Sequence, residues 1–175
     1  MIQVKIDFRD FLKTGQFGPV QLGMTQDEVR QLLGNPQDWG GQFPWKTNEL
    51  GQNATSDDSY PIWKYDEMEF HFGDQERRLW LIWCDHLDLL KSDGKVFQLF
   101  RWVFETVPLS REKLEQGLTS EGIDYTVKDL KYHGQLMLAS GVEISYEYDS
   151  AIVSGIGISN QAYIGHPDHP EIKAS

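Results

Sequence analysis

The chain has 175 residues, enough to bury a sizeable core, and its 27 acidic and 16 basic residues give a formal net charge of −11. A charge of this sign repels nucleic-acid backbones and anionic membrane surfaces, so neither is an expected partner. It attracts basic proteins, although acidity also keeps many proteins soluble without any partner.

The first predicted element is a helix that begins after Thr25. The Thr25 side chain can accept a hydrogen bond from the backbone of Glu28, and the Glu28 side chain can accept one from the backbone of Thr25. Gly34 and Pro36 then end the helix. Its apolar stripe consists of Val29, Leu32 and Leu33.

A second helix repeats the pattern of the first at a constant offset, which we call the helix offset. Ser110 follows Thr25 at the same spacing as Leu114 follows Val29, so the cap and the apolar stripe recur together. Ser110 is therefore predicted to cap this helix, and Gly122 is predicted to end it.

The predicted strands also recur, at a second and shorter offset, which we call the strand offset. Alternating apolar and polar residues around 68–82 return around 142–156, so that Glu69 corresponds to Glu143. The remaining matches predicted at this offset are Ile62 and Trp63 with Leu136 and Met137, and the hairpin turn Asp66-Glu67 with the turn Ser140-Gly141.

Each repeat is predicted to be a helix followed by three antiparallel strands. The predicted fold class is therefore α+β, a tandem duplication with its helices packed on one face of the sheet. The predicted parts are a first unit at 1–85 with a long loop at 35–60, a packed connector at 86–105, a second unit at 106–164, and a tail at 165–175. Because the connector is apolar, the two units are expected to form one continuous body.

The run from Gly18 to Pro36 (GPVQLGMTQDEVRQLLGNP) resembles the opening of the small outer-membrane assembly lipoproteins of the SmpA/OmlA type. Trp63-Lys64-Tyr65 and the strands after it resemble that family's continuation. The tandem arrangement is similar to that of the β-lactamase inhibitor proteins, in which a concave sheet surface holds the partner. These resemblances imply a duplicated fold with a protein-binding sheet face.

The sequence predicts a reducing compartment. Cys84 is the one cysteine, so no internal disulfide can form. Residues 1–7 do not contain the long apolar stretch of a signal peptide, and no apolar run approaches the ~20 residues of a membrane span. We therefore expect a cytoplasmic protein.

The motifs of the common enzyme classes are absent from the sequence. It contains no P-loop, no dinucleotide-binding glycine pattern, no nucleophile elbow and no His-Glu-x-x-His zinc motif. The segment Cys84-Asp85-His86 favours a buried structural cysteine, and His166-Pro167-Asp168-His169 favours a solvated tail over a metal site. We expect no catalytic residues, no metal and no cofactor.

Two regions are candidates for binding a partner. Glu69 and His71 are two positions apart and share one face of a strand, and Glu143 extends that face in the second unit. Leu81 and Trp83 are large side chains at positions where the second unit has glycines. The 35–60 loop holds aromatic residues among glycine and proline, and it is expected either to contact the partner or to fold back over Leu81 and Trp83 and cover the core. The predicted partner-binding residues are Trp39, Phe43, Trp45, Glu69, His71, Leu81, Trp83 and Glu143.

The sequence favours a non-enzymatic protein-binding module, inhibitor-like or immunity-like, that acts on a basic protein. The alternative is an enzyme or small-ligand binder that uses a pocket between the two units. A flat aromatic and acidic face would favour the module, whereas a deep pocket with perturbed ionisable groups would favour the alternative. The oligomeric state does not follow from the sequence.

Overall fold

The structure, a computed structural model, describes residues 3–37, 61–73 and 77–163. Its fold is mixed α+β and consists mostly of sheet. Within these ranges, no helix combines the length and apolar character needed to cross a membrane. The predicted loop residues Trp39, Phe43 and Trp45 and the predicted tail from 165 onward lie outside the described residues.

The described elements begin with a short strand and helix and continue with two groups of a helix followed by strands. The helices are α1 (Phe8–Thr14), α2 (Gln26–Leu33) and α3 (Arg111–Ser120). The strands are β1 (Val4–Asp7), β2 (Ile62–Tyr65), β3 (Met68–Phe72), β4 (Leu79–Cys84), β5 (Phe97–Phe100), β6 (Tyr125–Asp129), β7 (His133–Leu138), β8 (Val142–Glu147) and β9 (Val153–Ser159). Short 3-10 turns cover Trp102–Glu105 and Gln161–Tyr163.

Seven strands form one antiparallel sheet in the order β2-β3-β4-β9-β8-β7-β6. The pairing of β4 with β9 joins the N-terminal strands to the C-terminal ones. Strands β1 and β5 form a separate parallel pair. Apolar side chains from all three helices and from one face of the large sheet form a single buried cluster, which includes Phe11, Val29, Phe70, Leu114 and Ile144.

The predicted helix caps are present. Thr25 accepts a hydrogen bond from the backbone N–H of Glu28, and the Glu28 carboxylate accepts one from the N–H of Thr25 at 2.8 Å, which completes the capping box. Ser110 caps α3 by accepting from the N–H of Lys113. Because a lysine stands at that third position, the second cap has no reciprocal bond.

Both helix-and-strand groups contain a bulge at the corresponding place. A register irregularity lies at His71/Phe72 between β3 and β4, and another lies at Ser145/Tyr146 between β8 and β9. The two positions are related by the strand offset that matches Glu69 with Glu143. The two groups therefore share a detail of backbone geometry that the apolar pattern does not specify.

The link from each helix cap to its strands also recurs. A backbone bridge joins Thr25 to Arg78, and another joins Ser110 to Ile152. The residue before each bridge partner has a positive φ, at Arg77 (51°) and Ala151 (52°). The two helices thus begin at equivalent positions beside their strands.

One prediction about the second half is wrong, because it contains a fourth strand. Strand β6 pairs with β7 and forms an edge of the large sheet. Polar Thr126 and Lys128 alternate there with Val127, which is 46% exposed. The strand therefore lacks the apolar signal that marks a half-buried strand in a sequence.

The predicted match of Trp63 with Met137 is also wrong by one position. Trp63 pairs with Phe70, and the residue that pairs with the equivalent Ile144 is Leu136. The shift arises because the second hairpin turn covers 139–141, one position more than the first, which covers 66–67.

Asp66 connects the β2–β3 turn to the chain that leads into β5. Its carboxylate accepts hydrogen bonds from the backbone N–H groups of Lys95 (2.8 Å), Val96 (3.0 Å) and Phe97 (2.9 Å) and from the side chain of Gln37 (3.2 Å). Partial burial alone would raise the pKa of Asp66, but these hydrogen bonds outweigh it and lower the pKa. The ionised carboxylate therefore fixes the turn against β5.

The unequal caps give a stability prediction. Thr25→Ala removes a cap and half of a capping box, and we expect it to lower the free energy of unfolding by about 1 kcal/mol. Ser110→Ala removes a cap that has no reciprocal bond, so it should cost no more. Urea denaturation of both variants and the wild type measures the two losses. A clearly larger loss for Ser110→Ala would contradict this account of the caps.

Candidate functional site

The face of the large sheet away from the helices carries the candidate site, and we call it the open face. One row of directly paired residues crosses all seven strands on this face. In strand order the row is Lys64, Glu69, Trp83, Gly157, Glu143, Met137 and Thr126.

A neighbouring row on the open face holds the other predicted strand residues. Ile62 pairs with His71, His71 with Leu81, and Leu81 with Ser159. The structure thus places five of the predicted site residues on one face, as strand parity predicts. These five are Glu69, His71, Leu81, Trp83 and Glu143.

The bulge in β4 adds a second tryptophan to the open face. His71 pairs with Leu81 and Phe72 with Leu79, so Trp80 is an extra residue in the strand. The rings of Trp80 and His71 meet edge to face, with their centroids 5.9 Å apart. Regular alternation would have turned Trp80 toward the core, which is why parity alone did not identify it as a site residue.

Glu69 has side-chain partners on its own strand and on the next. Its carboxylate lies 3.0 Å from Nε2 of His71 and 3.3 Å from Nζ of Lys64. The pKa of Glu69 is lowered, chiefly by the hydrogen bond with His71. Burial acts in the opposite direction, and Lys64 lowers the pKa further. Glu69 is therefore held ionised and in a fixed position.

Trp83 lies along β9, above two glycines. A Cβ atom at Gly155 would come within 2.5 Å of Cζ2 of the Trp83 ring, and one at Gly157 within 2.5 Å of Cε3. These two atoms are opposite corners of the six-membered ring, so the ring spans both glycines. Trp83 is only partly buried. The two glycines of β9 therefore form the surface on which the partly exposed Trp83 indole packs.

Glu143 is the second carboxylate in the row, and its surroundings differ from those of Glu69. It lies on β8 between Gly157 and Met137 and is half-buried. Burial raises the pKa of Glu143, and the charge of Lys128 opposes this only in part. Within the described residues no Lys, Arg or His nitrogen comes within ion-pair distance of its carboxylate. The ionised form of Glu143 is therefore poorly stabilised by the described part of the chain.

Residues that sequence reasoning did not place in the site are Lys64, Trp80 and Met137. Lys64 and Met137 could have been found by continuing the row across the sheet, since their strands were predicted. The longer second turn, however, placed Met137 at the wrong position. Trp80 required knowledge of the bulge.

A cavity of about 230 Å³ lies where the two halves of the chain meet. Its lining is mainly apolar, with Phe104, Leu109 and Val153, and it includes Asp85 and Glu147. The volume is below the range of about 300–1,000 Å³ that is usual for small-molecule sites.

A further cavity, of about 320 Å³, lies beside Asp66. The Asp66 carboxylate is already engaged by three backbone amides of the chain that leads into β5. It therefore serves the fold and is not free to bind a ligand in this cavity.

Cys84 faces the core and is fully buried. Burial raises the pKa of its thiol to about 12, so the reactive thiolate is scarcely populated near neutral pH. This environment agrees with a structural cysteine. In the described ranges, no three His, Cys, Asp or Glu side chains are grouped so as to hold a metal ion.

Comparisons of the chain with protein-family models, with curated proteins and with solved structures found no match.

The packing of Trp83 on β9 predicts how alanine substitutions at the two glycines affect stability. Gly155→Ala should lower stability by about 1–3 kcal/mol through overpacking, and Trp83→Ala should relieve most of that loss because its ring causes the clash. At Gly157 a Cβ would also lie 2.5 Å from the backbone oxygen of Ile82. Trp83→Ala should therefore restore much less of the stability lost through Gly157→Ala. Double-mutant cycles from denaturation midpoints measure the coupling of Trp83→Ala with each glycine substitution. Equal coupling energies for the two glycines would contradict the proposed packing of the Trp83 ring.

The raised pKa of Glu143 makes a prediction about pH. The stability that a neutral Glu143 contributes is fully present below the ordinary glutamate pKa of about 4.3 and is lost as pH rises through the higher folded-state value. Glu143→Gln mimics the neutral form, so the variant should be more stable than the wild type near neutral pH. The difference should disappear in acid. Denaturation across this range measures it, with Glu112→Gln on the exposed side of α3 as the charge-matched control.

Proposed function

We propose that this chain is a non-enzymatic protein-binding module whose open face receives a basic partner protein, in the manner of an inhibitor or an immunity protein. The observation that carries the proposal is the partly exposed Trp83 between the carboxylates of Glu69 and Glu143 in a single row. Aromatic anchors supply much of the energy of protein interfaces, and complementary charge increases the rate of association.

The shape and charge of the molecule support this proposal. The open face is a broad sheet surface, and Trp80 and Leu81 extend its apolar area next to Trp83. The formal net charge of −11 attracts a basic protein before contact is made. A free, buried Cys84 is compatible with the cytoplasmic location that we include in the proposal.

We also propose that the two halves arose by duplication of one unit. The bulges recur at the strand offset, and each helix cap is bridged to the strands of its own half. The predicted resemblance to the SmpA/OmlA-type lipoproteins and the β-lactamase inhibitor proteins belongs to this proposal. Both copies of such a unit would offer the same sheet face to a partner.

The alternative is an enzyme or small-ligand binder that acts between the two halves. The cavity beside Asp85 and Glu147 supports it. Its volume, below the usual range for small-molecule sites, favours the open face instead.

The test of the binding function is capture of a partner on the immobilised protein at low and high salt. Leu81→Glu places a charge on the open face beside Trp83 and should abolish capture, whereas Leu89→Glu, at a 49% exposed site beside the cavity of Asp66 and outside the strands of the sheet, should preserve it. Added salt should weaken capture because screening reduces the attraction of opposite charges. Melting temperatures of both variants show whether they are folded.

If both glutamate variants retain capture, the partner does not use the open face. If the wild type captures no protein even at low salt, the binding function is wrong.

The predicted contribution of Trp39, Phe43 and Trp45 belongs to the same test. Trp39→Ala combined with Trp45→Ala should abolish capture with little loss of stability. A fall of several degrees in melting temperature with capture intact would reject their binding role, since it would show that the aromatic side chains cover the core.

A further inference from the structure

Glu69 and Glu143 stand in the same row but differ in what surrounds them. Glu69 is bound by His71 and Lys64, at 3.0 Å and 3.3 Å. Glu143 has no Lys, Arg or His nitrogen at ion-pair distance among the described residues, although it is half-buried between Gly157 and Met137. An ionised carboxylate that has lost part of its water and has no partner gains the most from an incoming cation.

The Trp83 ring is the nearest large side chain on the row toward β4. Trp83 pairs with Gly157, and Gly157 pairs with Glu143, so the Cα atoms of Trp83 and Glu143 are about two strand spacings, roughly 10 Å, apart. The ring extends from β4 over β9 and thereby occupies part of this distance. No side chain of the row stands between them, because the intervening residue is glycine. An indole surface and a carboxylate thus border the same gap.

A planar cation fits this pair better than a compact one. A guanidinium group can stack on an indole with its face while its edge donates two hydrogen bonds to a carboxylate. An ammonium group has no plane to stack and is more strongly hydrated. The chain itself supplies Lys128, but that residue lies on β6, two strands from β8, and affects Glu143 only from a distance.

We propose that Trp83 and Glu143 form a receiving site for one arginine side chain of the partner protein. This inference rests on the proposed binding function and names the chemistry that the open face recognises. Trp83 supplies the stacking surface, and Glu143 supplies the paired carboxylate. Glu69, already paired with His71 and Lys64, borders the site and does not bind the arginine directly.

The experiment uses a short peptide, capped at both ends, with one arginine among glycines. Its binding to the full chain is followed through the indole N–H signal of Trp83 in two-dimensional NMR, assigned with Trp83→Phe. The matched probes replace arginine with citrulline, which has nearly the same shape without charge, or with lysine. We expect saturable binding on the order of millimolar for arginine, as is usual for a single anchor, and roughly tenfold weaker binding for the other two.

The variants separate local pairing from overall charge. Glu143→Gln should weaken arginine binding roughly tenfold, as expected for loss of a partly desolvated charge pair. Glu112→Gln removes the same charge from α3 and should leave binding unchanged. Lys128→Gln should tighten binding slightly, because it removes the positive charge that acts on Glu143 from β6. The amide spectrum of each variant shows that it is folded.

Three results would overturn the arginine site: equal binding of the citrulline peptide, equal binding of the lysine peptide, or unchanged arginine binding by Glu143→Gln. These results are distinct from failure of the binding function. If capture of the partner is abolished by Leu81→Glu but unaffected by Glu143→Gln, the open face binds a protein without this arginine. If the peptide binds as expected but no protein is captured, the arginine site stands and the protein-binding role is wrong.

Discussion

The pairing of β4 with β9 is the contact on which the rest of the large sheet depends. It is the point where the N-terminal strands meet the C-terminal ones, and the glycines of β9 leave room for the Trp83 ring to lie across it. A side chain at either glycine would displace the ring, and at Gly157 it would also approach the backbone of Ile82. Trp83 and Gly157 therefore belong both to the candidate site and to the β4–β9 pairing that joins the two parts of the sheet.

Much of the fold could be predicted because the determining signals are local. The capping box at Thr25 and Glu28 needs only a single turn of chain, and the alternation in β3 and β8 follows from a sheet with one buried face. Strand β6 and the longer second turn could not be predicted in the same way. The first has little apolar content, and the second changes the register without changing the pattern on either side. Strand β1 is defined only by its pairing with the distant β5, and so short a strand has no periodicity long enough to detect.

Alternation along the strands was enough to predict which residues of the candidate site share a face. Glu69 and His71 lie on one face because alternate residues of a strand share a face, and Leu81 and Trp83 follow by correspondence with glycines. What the sequence could not give is the difference between Glu69 and Glu143. That difference depends on the lysine beside the first carboxylate and on the neighbours of the second across the sheet, which only the register reveals.

The order of strands in the sheet also has a consequence for synthesis of the chain. Strand β4, with the sequence LWLIWC, ends at Cys84, whereas its partner β9 begins only at Val153. At roughly 5–20 residues per second a ribosome needs several seconds to make the segment between them. During that interval the β9-facing edge of a very apolar strand lacks its native neighbour and is open to non-native pairing.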